Sequence, residues 1–174
     1  PHRRARRQPT AMSSRGGIPY LPKRAAGFPR LDDPYRRAAK PPEPTTCPEC
    51  HATFTEGRWT WEKAPEDAHR LLCPACQRIN DRFPAGYVTI KGAFIEEHRD
   101  EIVSLIENHE KKEKAERPLQ RIIAIDTKRD GLEVTTTDSH LARGIAEALH
   151  DAYKGELKLR YSRDENLLRA SWKR

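Results

Sequence analysis

The sequence lacks any long apolar run. No stretch of about 18 apolar residues occurs among its 174 residues, which excludes a membrane-spanning helix. Hydrophobic residues make up 36% of the chain and charged residues 34%, so the apolar side chains are too few for every segment to lie in a core. The composition predicts a soluble, cytoplasmic, monomeric protein with no membrane partner, part of which lies outside any folded domain.

The sequence also lacks the short motifs that mark common catalytic sites. It has no glycine-rich loop for phosphate, no Gly-x-Ser-x-Gly elbow and no histidine with an evident carboxylate partner at a recognisable spacing. No cysteine is left over from the two pairs described below. The chain is therefore predicted to be non-enzymatic, with no small-molecule substrate.

Charge and proline are concentrated at the start of the chain. Residues 1–46 hold eleven Lys or Arg, three Asp or Glu, and nine of the fourteen prolines, whereas residues 47–174 are close to neutral. This pattern predicts a disordered, extended basic tail that contacts the phosphates of a nucleic acid. The cations concerned are Arg3, Arg4, Arg6, Arg7, Arg15, Lys23, Arg24, Arg30, Arg36, Arg37 and Lys40.

The four cysteines occur as two matched pairs. Each pair has the spacing C-x2-C, and 22 residues separate the pairs, which are formed by Cys47, Cys50, Cys73 and Cys76. This spacing allows both sulfurs of a pair to reach one ion, and two pairs supply the four thiolates of a tetrahedral zinc site. The sequence predicts a zinc ribbon over residues 47–84 that holds one structural Zn²⁺.

Three other interpretations of the cysteines exist: a redox dithiol, structural disulfides and an iron–sulfur cluster. Two matched pairs in a chain without an evident export signal favour zinc. A shell of four thiolates leaves no coordination position for the nearby His51 or His69, and none for catalysis. We therefore expect the metal to fold the module rather than to react.

The segment between the cysteine pairs predicts a short β-hairpin that packs over the metal site. Phe54 precedes Gly57, and Trp59 and Trp61 follow it. Two tryptophans at this spacing share one face of a strand, so at least one of them is expected to pack on the cysteine pairs. Trp59 is the candidate for stacking on an RNA base.

Residues 85–174 predict a second domain with the element order βαββαββ. A β-branched strand at residues 86–92 precedes an amphipathic helix from residue 93 to about 116, which Pro118 ends. Two strands joined near Gly131 follow, then a helix capped by Asp138 or Ser139, then a terminal hairpin. This order predicts an α+β protein whose second domain is a ferredoxin-like split βαβ sandwich, with both helices on one face of the sheet.

The terminal hairpin has one apolar and one basic side. Lys158 and Arg160 alternate with leucines in its first strand, and Arg169 alternates with Leu168 and Ala170 in its second. We name Lys158, Arg160 and Arg169 the basic face. These three residues are predicted to contact RNA, although cations are also common on ordinary solvated strands.

The cysteine pairs, followed by "DSHLARGIAEALHDAYKGELKLRYSRDENLLRASW", resemble the N-terminal region of the archaeal and eukaryotic large-ribosomal-subunit export adaptor, the NMD-three family. Small bacterial proteins similar to that region share the likeness, which covers roughly residues 47–174. That family has more cysteines and further domains, so an export role does not carry over. The resemblance implies contact with the rRNA of the large subunit.

Together these patterns predict a zinc-ribbon RNA-binding protein that associates with the ribosome, at its large subunit, as an assembly, hibernation or quality-control factor. A DNA-binding transcriptional regulator is one alternative, although no helix resembles a recognition helix with base-reading residues at its start. A metal-dependent nuclease is another, and its candidate groups are Glu96, Glu97, His98 and Asp100.

Overall fold

The computed structural model describes Tyr35 and residues 40–174. Most of the predicted basic tail, including all its candidate cations except Lys40, lies outside the described residues. The last residues of that segment belong to the folded part, because Thr45 is fully buried in a strand. No helix within the described residues is long and apolar enough to cross a membrane.

The first sheet is built from short strands in the order β3-β2-β1-β4. Its strands are β1 (Thr45–Thr46), β2 (Thr53–Thr55), β3 (Arg58–Thr60) and β4 (His69–Arg70). The predicted hairpin is confirmed, since β2 pairs with β3 around a turn at Glu56 and Gly57. The Glu43 carboxylate accepts the N–H groups of both turn residues at 2.8 and 2.9 Å, so it fixes this turn.

A short helix, α1 (Pro74–Asp81), completes the first region. The sequence pattern did not predict it, because eight residues are too few for a clear helical period. Tyr35 lies against this helix: its hydroxyl donates to the Asp81 carboxylate at 2.8 Å, and its ring centroid is 5.5 Å from that of Phe83. We call residues 45–83 the ribbon.

The second sheet carries the remaining elements, in the predicted order βαββαββ. They are β5 (Gly86–Lys91), α2 (Phe94–Glu116), β6 (Ile122–Lys128), β7 (Gly131–Thr136), α3 (Ser139–Tyr153), β8 (Glu156–Ser162) and β9 (Leu167–Lys173). The predicted cap of α3 is confirmed, because the Asp138 carboxylate accepts the N–H groups of His140 and Leu141. We call residues 86–173 the α/β domain.

The strand order of the second sheet is β6-β7-β5-β9-β8. A ferredoxin-like sheet would place the strand after the second helix beside β5. Here the final strand, β9, takes that place and runs parallel to β5, and β8 forms the edge. Burial explains the exchange, since Leu168, Ala170 and Trp172 of β9 are buried, while β8 carries charged residues that suit an edge strand.

The apolar core of the α/β domain lies between the sheet and its two helices. Ile102 and Ile106 of α2, Ile145 and Leu149 of α3, and Trp172 of β9 are all fully buried in one cluster. Helices α2 and α3 therefore share one face of the sheet, as predicted. No helix within residues 40–174 covers the other face.

Trp61 and Leu119 are among the residues that join the ribbon to the α/β domain. The Trp61 indole N–H donates to the main-chain carbonyl of Lys114 at 2.6 Å, in the last turn of α2. Carbonyls of a last turn have no partner within their helix, so Trp61 satisfies one of them. Leu119, which precedes β6, packs against the cysteines.

Candidate metal centre and basic face

The structure brings the four cysteine sulfurs into one cluster. All four Sγ atoms lie within 4.8 Å of one another, with 3.7 Å between those of Cys47 and Cys76 and 3.6 Å between those of Cys50 and Cys73. Four sulfurs about 2.3 Å from one ion at tetrahedral corners lie about 3.8 Å apart. The cluster therefore has the size of a site for one metal ion.

The first cysteine pair is held by a tight turn. The N–H of Cys47 donates to the Ala52 carbonyl at 2.8 Å, and the N–H of His51 donates back to the Cys47 carbonyl at 3.0 Å. This turn requires a left-handed backbone at His51, whose φ is 63°. The His51 side chain is exposed, as is that of His69, so neither belongs to the cysteine cluster.

The second cysteine pair sits at the start of α1. Cys73 is the N-cap, Pro74 occupies the first turn, and the Cys73 sulfur accepts the N–H of Cys76 at 3.4 Å. The Cys73 N–H in turn donates to the Cys47 sulfur at 3.4 Å, which links the two pairs. N–H groups at a helix start favour negative charge, so this arrangement stabilises thiolates.

Arg121 contacts the cluster from the α/β domain. Its Nη2 donates to the Cys76 sulfur at 2.9 Å, and the residue is only 9% exposed. Its main chain is fixed by Thr137, whose hydroxyl accepts the Arg121 N–H at 2.9 Å. Sequence reasoning missed this residue, because no spacing relates an arginine 45 positions away to a cysteine pair.

Burial and hydrogen bonds act in opposite directions on the protonation of the cysteines. Burial raises the pKa of Cys76 to about 11, although Arg121 acts in the opposite direction, and it raises the pKa of Cys73 still further. Burial also opposes ionisation of Cys47, but N–H groups that include those of Cys50 and Cys73 outweigh it and lower that pKa to about 7. Burial acts to lower the pKa of Arg121, but the hydrogen bond to Cys76 and the charges of the cysteine sulfurs together outweigh it and raise that pKa.

These pKa directions indicate what the site requires. Burial opposes ionisation of Cys73 and Cys76, and a bound metal ion would supply the positive charge that stabilises their thiolates. Within the described residues the four cysteines are the one group of metal-binding side chains this close together. Four protein ligands would close the coordination shell.

Trp59 lies beside the metal centre. Its ring is half-buried against the cysteine cluster, and its centroid is 5.5 Å from that of Phe54. At least one of the two tryptophans therefore packs on the cysteine pairs, as expected. Part of the Trp59 ring stays accessible, and an RNA base would stack on that part. This stacking role stays a prediction.

The basic face is exposed on the helix-free side of the second sheet. Lys158, Arg160 and Arg169 are all exposed, and Arg160 is the direct cross-strand neighbour of Arg169. Lys158 pairs with Glu156 at 2.8 Å. The structure thus brings together the three predicted cations of the hairpin, and it adds Tyr87 of β5, whose ring centroid lies 4.6 Å from the Arg169 guanidinium carbon.

Lys40 is the one predicted tail cation within the described residues. It is exposed and lies against the β2–β3 turn, where its Nζ is 3.6 Å from the position that a Cβ would occupy if Gly57 had a side chain. The remaining candidates, Arg3, Arg4, Arg6, Arg7, Arg15, Lys23, Arg24, Arg30, Arg36 and Arg37, fall outside the described part of the chain.

Comparison of the chain with protein-family models, curated proteins and solved structures finds no match. The resemblance to the NMD-three family therefore stays a prediction from the sequence.

Proposed function

We propose that this protein is a non-enzymatic RNA-binding protein that carries one structural Zn²⁺ on its four cysteines. We further propose that it associates with the ribosome, at the large subunit, as an assembly, hibernation or quality-control factor. The exposed pair Arg160 and Arg169 is the observation that carries RNA binding. These like charges are direct neighbours on the adjacent strands β8 and β9, and a bound phosphate would offset their repulsion.

Zinc is the metal best suited to this donor set. Four thiolates at tetrahedral spacing are the ligands of structural zinc sites, and the hard cations magnesium and calcium prefer oxygen ligands instead. Bound zinc would supply the positive charge that the buried sulfurs require. Its role is to fold the ribbon, which Trp61 and Leu119 then hold on the α/β domain.

RNA is supported by where the positive charge lies. The chain carries a formal net charge of +7, and the excess belongs to residues 1–46. Cations that neutralise phosphates release counterions, which is the main source of affinity in such interfaces. The tail and the basic face would therefore act as two separate contacts with one polyanion.

The ribosome and the large subunit are supported by the resemblance of residues 47–174 to the NMD-three family. The nuclease alternative gains no support from the fold, because His98 stacks on Phe94 with 4.0 Å between ring centroids and its Nδ1 faces Glu101 at 3.4 Å. Glu96, Glu97 and Asp100 are exposed and, within the described residues, join no cluster suited to a metal.

Sedimentation of the full chain tests the proposal. The tagged protein should co-purify with RNA, seen in its absorbance ratio at 260 and 280 nm, and should migrate with large subunits in a sucrose gradient. Arg160→Glu with Arg169→Glu should reduce this association, while the matched exposed pair Lys111→Glu with Lys112→Glu should not. Migration of the wild type as a free protein without nucleic acid would overturn the proposal, and selective capture of DNA would favour a regulator.

Removal of residues 1–34 tests the tail separately. This segment holds eight of the eleven tail cations, and Tyr35, which contacts the ribbon, is kept. The affinity for RNA at moderate salt should fall by several powers of ten. The slope of log K against log salt should also flatten, by about 0.7 to 0.9 for each phosphate contact that the truncation removes. An unchanged affinity and slope would mean that the tail charge plays no part in binding.

A further inference from the structure

The helix-free side of the second sheet, which we call the open face, is divided by charge. Val88 and Ile90 of β5 point into the core, so Tyr87 and Thr89 point to the open face. Asp126 and Glu133 face each other across β6 and β7 on one side of these residues. The basic face lies on the other side, across β9 and β8.

The arginine pair on the open face places two like charges directly opposite each other. Like charges directly opposite each other on neighbouring strands destabilise a sheet. Within the described residues no carboxylate forms an ion pair with Arg160 or Arg169, and the nearby Glu156 is taken by Lys158. Arg160 and Arg169 are exposed direct cross-strand neighbours, and together they would supply the paired N–H donors that one phosphate accepts.

Tyr87 places an aromatic ring next to this pair. It is the register partner of Arg169 on the adjacent strand, and it is half-buried at the centre of the sheet rather than packed in the core. The Arg169 guanidinium lies over the ring at 4.6 Å. The half-buried ring keeps part of its surface exposed, and a planar base would stack there beside the guanidinium.

We infer that the open face binds single-stranded RNA, with one base stacked on Tyr87 and the adjoining phosphate held between Arg160 and Arg169. This inference rests on the proposed function and deepens it. A single strand is required because the bases of a duplex are stacked on each other and cannot reach a flat sheet. On the β6–β7 side Asp126 and Glu133 place two carboxylates, and Lys128 pairs with Glu133 at 3.4 Å. The cations of this face that have no carboxylate partner among the described residues lie on the other side, so the strand runs over β5, β9 and β8.

Binding of fluorescent oligonucleotides to the full chain tests the inference. The probes are a single-stranded ten-nucleotide RNA and the same sequence in a duplex, each titrated at several salt concentrations. Tyr87→Leu should weaken single-strand binding about 5- to 150-fold without changing the salt slope, whereas Tyr87→Phe should keep the affinity. Arg160→Gln and Arg169→Gln should each lower the single-strand slope by about 0.7.

Ultraviolet cross-linking of the wild type to the single-stranded RNA, read by mass spectrometry, gives a second test that does not depend on the folding of any variant. We expect a cross-linked nucleotide on the peptide that contains Tyr87. The inference would be overturned if Tyr87→Leu bound the single strand as tightly as the wild type, or if cross-links were confined to other peptides. In either case RNA binding by the wild type would still support the proposed function. Failure of the wild type to bind either probe or ribosomes would overturn the proposed function itself.

Discussion

The strands of the ribbon have two or three residues, whereas those of the α/β domain have six or seven. The buried cluster of the ribbon consists of three cysteines and Ala75, and the α/β domain buries fifteen residues in one core. Apolar burial therefore contributes far more to the second region than to the first, where Ala52 and Phe54 are the other buried apolar residues. We expect the first region to depend on a metal ion held by its sulfurs, because strands so short cannot hold a fold by pairing alone.

The largest expected effect on this comparison comes from removing a ligand sulfur. Cys73→Ser should abolish the binding of one metal ion per chain and unfold the ribbon, because a metal-binding free energy on the order of 10 kcal/mol is folding free energy in such a module. Elemental analysis and amide NMR spectra measure both effects. His69→Ser, a change at an exposed side chain outside the cluster, is the matched control and should leave them unchanged. A metal-free Cys73→Ser protein with an intact ribbon spectrum would contradict the prediction.

A side-chain truncation in the core of the α/β domain should destabilise that domain and leave the metal site intact. Ile145→Ala should lower the free energy of unfolding of the α/β domain by about 2–5 kcal/mol, because it leaves a cavity in a fully buried cluster. Urea denaturation followed by helical circular dichroism measures this decrease, and metal content should stay at one ion per chain. Leu159→Ala, at an edge-strand position that is 39% exposed, should cost much less. Equal decreases in the two variants would mean that the core is misassigned.

Arg121 tests whether the two regions influence each other. Arg121→Met removes the donor to the Cys76 sulfur and should weaken metal affinity about 10- to 100-fold, as removal of the outer partners of metal ligands does. Competition with a chromogenic chelator measures the affinity. Arg117→Met, an exposed change nearby, serves as the control. If both variants bind metal as the wild type does, the centre is independent of the α/β domain.

The smallest expected effect concerns the hydrogen bond between Trp61 and α2. Trp61→Phe keeps an aromatic ring but removes the N–H that reaches the Lys114 carbonyl, which should cost about 0.5–1.5 kcal/mol. Hydrogen exchange of amides in the β2–β3 hairpin should become faster, and exchange in β5 and β7 should not change. The exposed neighbour Lys63→Gln should leave both rates as they are. Faster exchange throughout the chain would show that the two regions open as one unit.

Patterns local in the chain were sufficient for much of this structure. The cysteine spacing predicted the metal cluster, and hydrophobic periodicity predicted the order of strands and helices in the α/β domain. The alternation of Lys158 and Arg160 with leucines predicted which side of the hairpin is basic. In each case the signal lies within a few residues of the feature it predicts.

Features that join distant segments were not predictable in this way. Nothing near Arg121 indicates a sulfur partner, and nothing near Tyr87 indicates that Arg169 lies over its ring. The exchange of β8 and β9 also depends on a comparison of whole strands, since either one can pair with its neighbour in the hairpin. Only the packing of the complete sheet selects the more apolar β9 for the central position.

The central position of β9 has a consequence for the order of folding during synthesis. One side of β5 pairs with β9, so residues 86–91 wait for residues 167–173 before their hydrogen bonds on that side can form. Contacts between such distant segments slow folding, and an unpaired strand edge is prone to aggregate while it waits. The ribbon has no such delay, because all its strands lie within residues 45–70 and its ligands within residues 47–76. We therefore expect the ribbon to mature first on a translating ribosome, and the α/β domain to close only after its last strand has emerged.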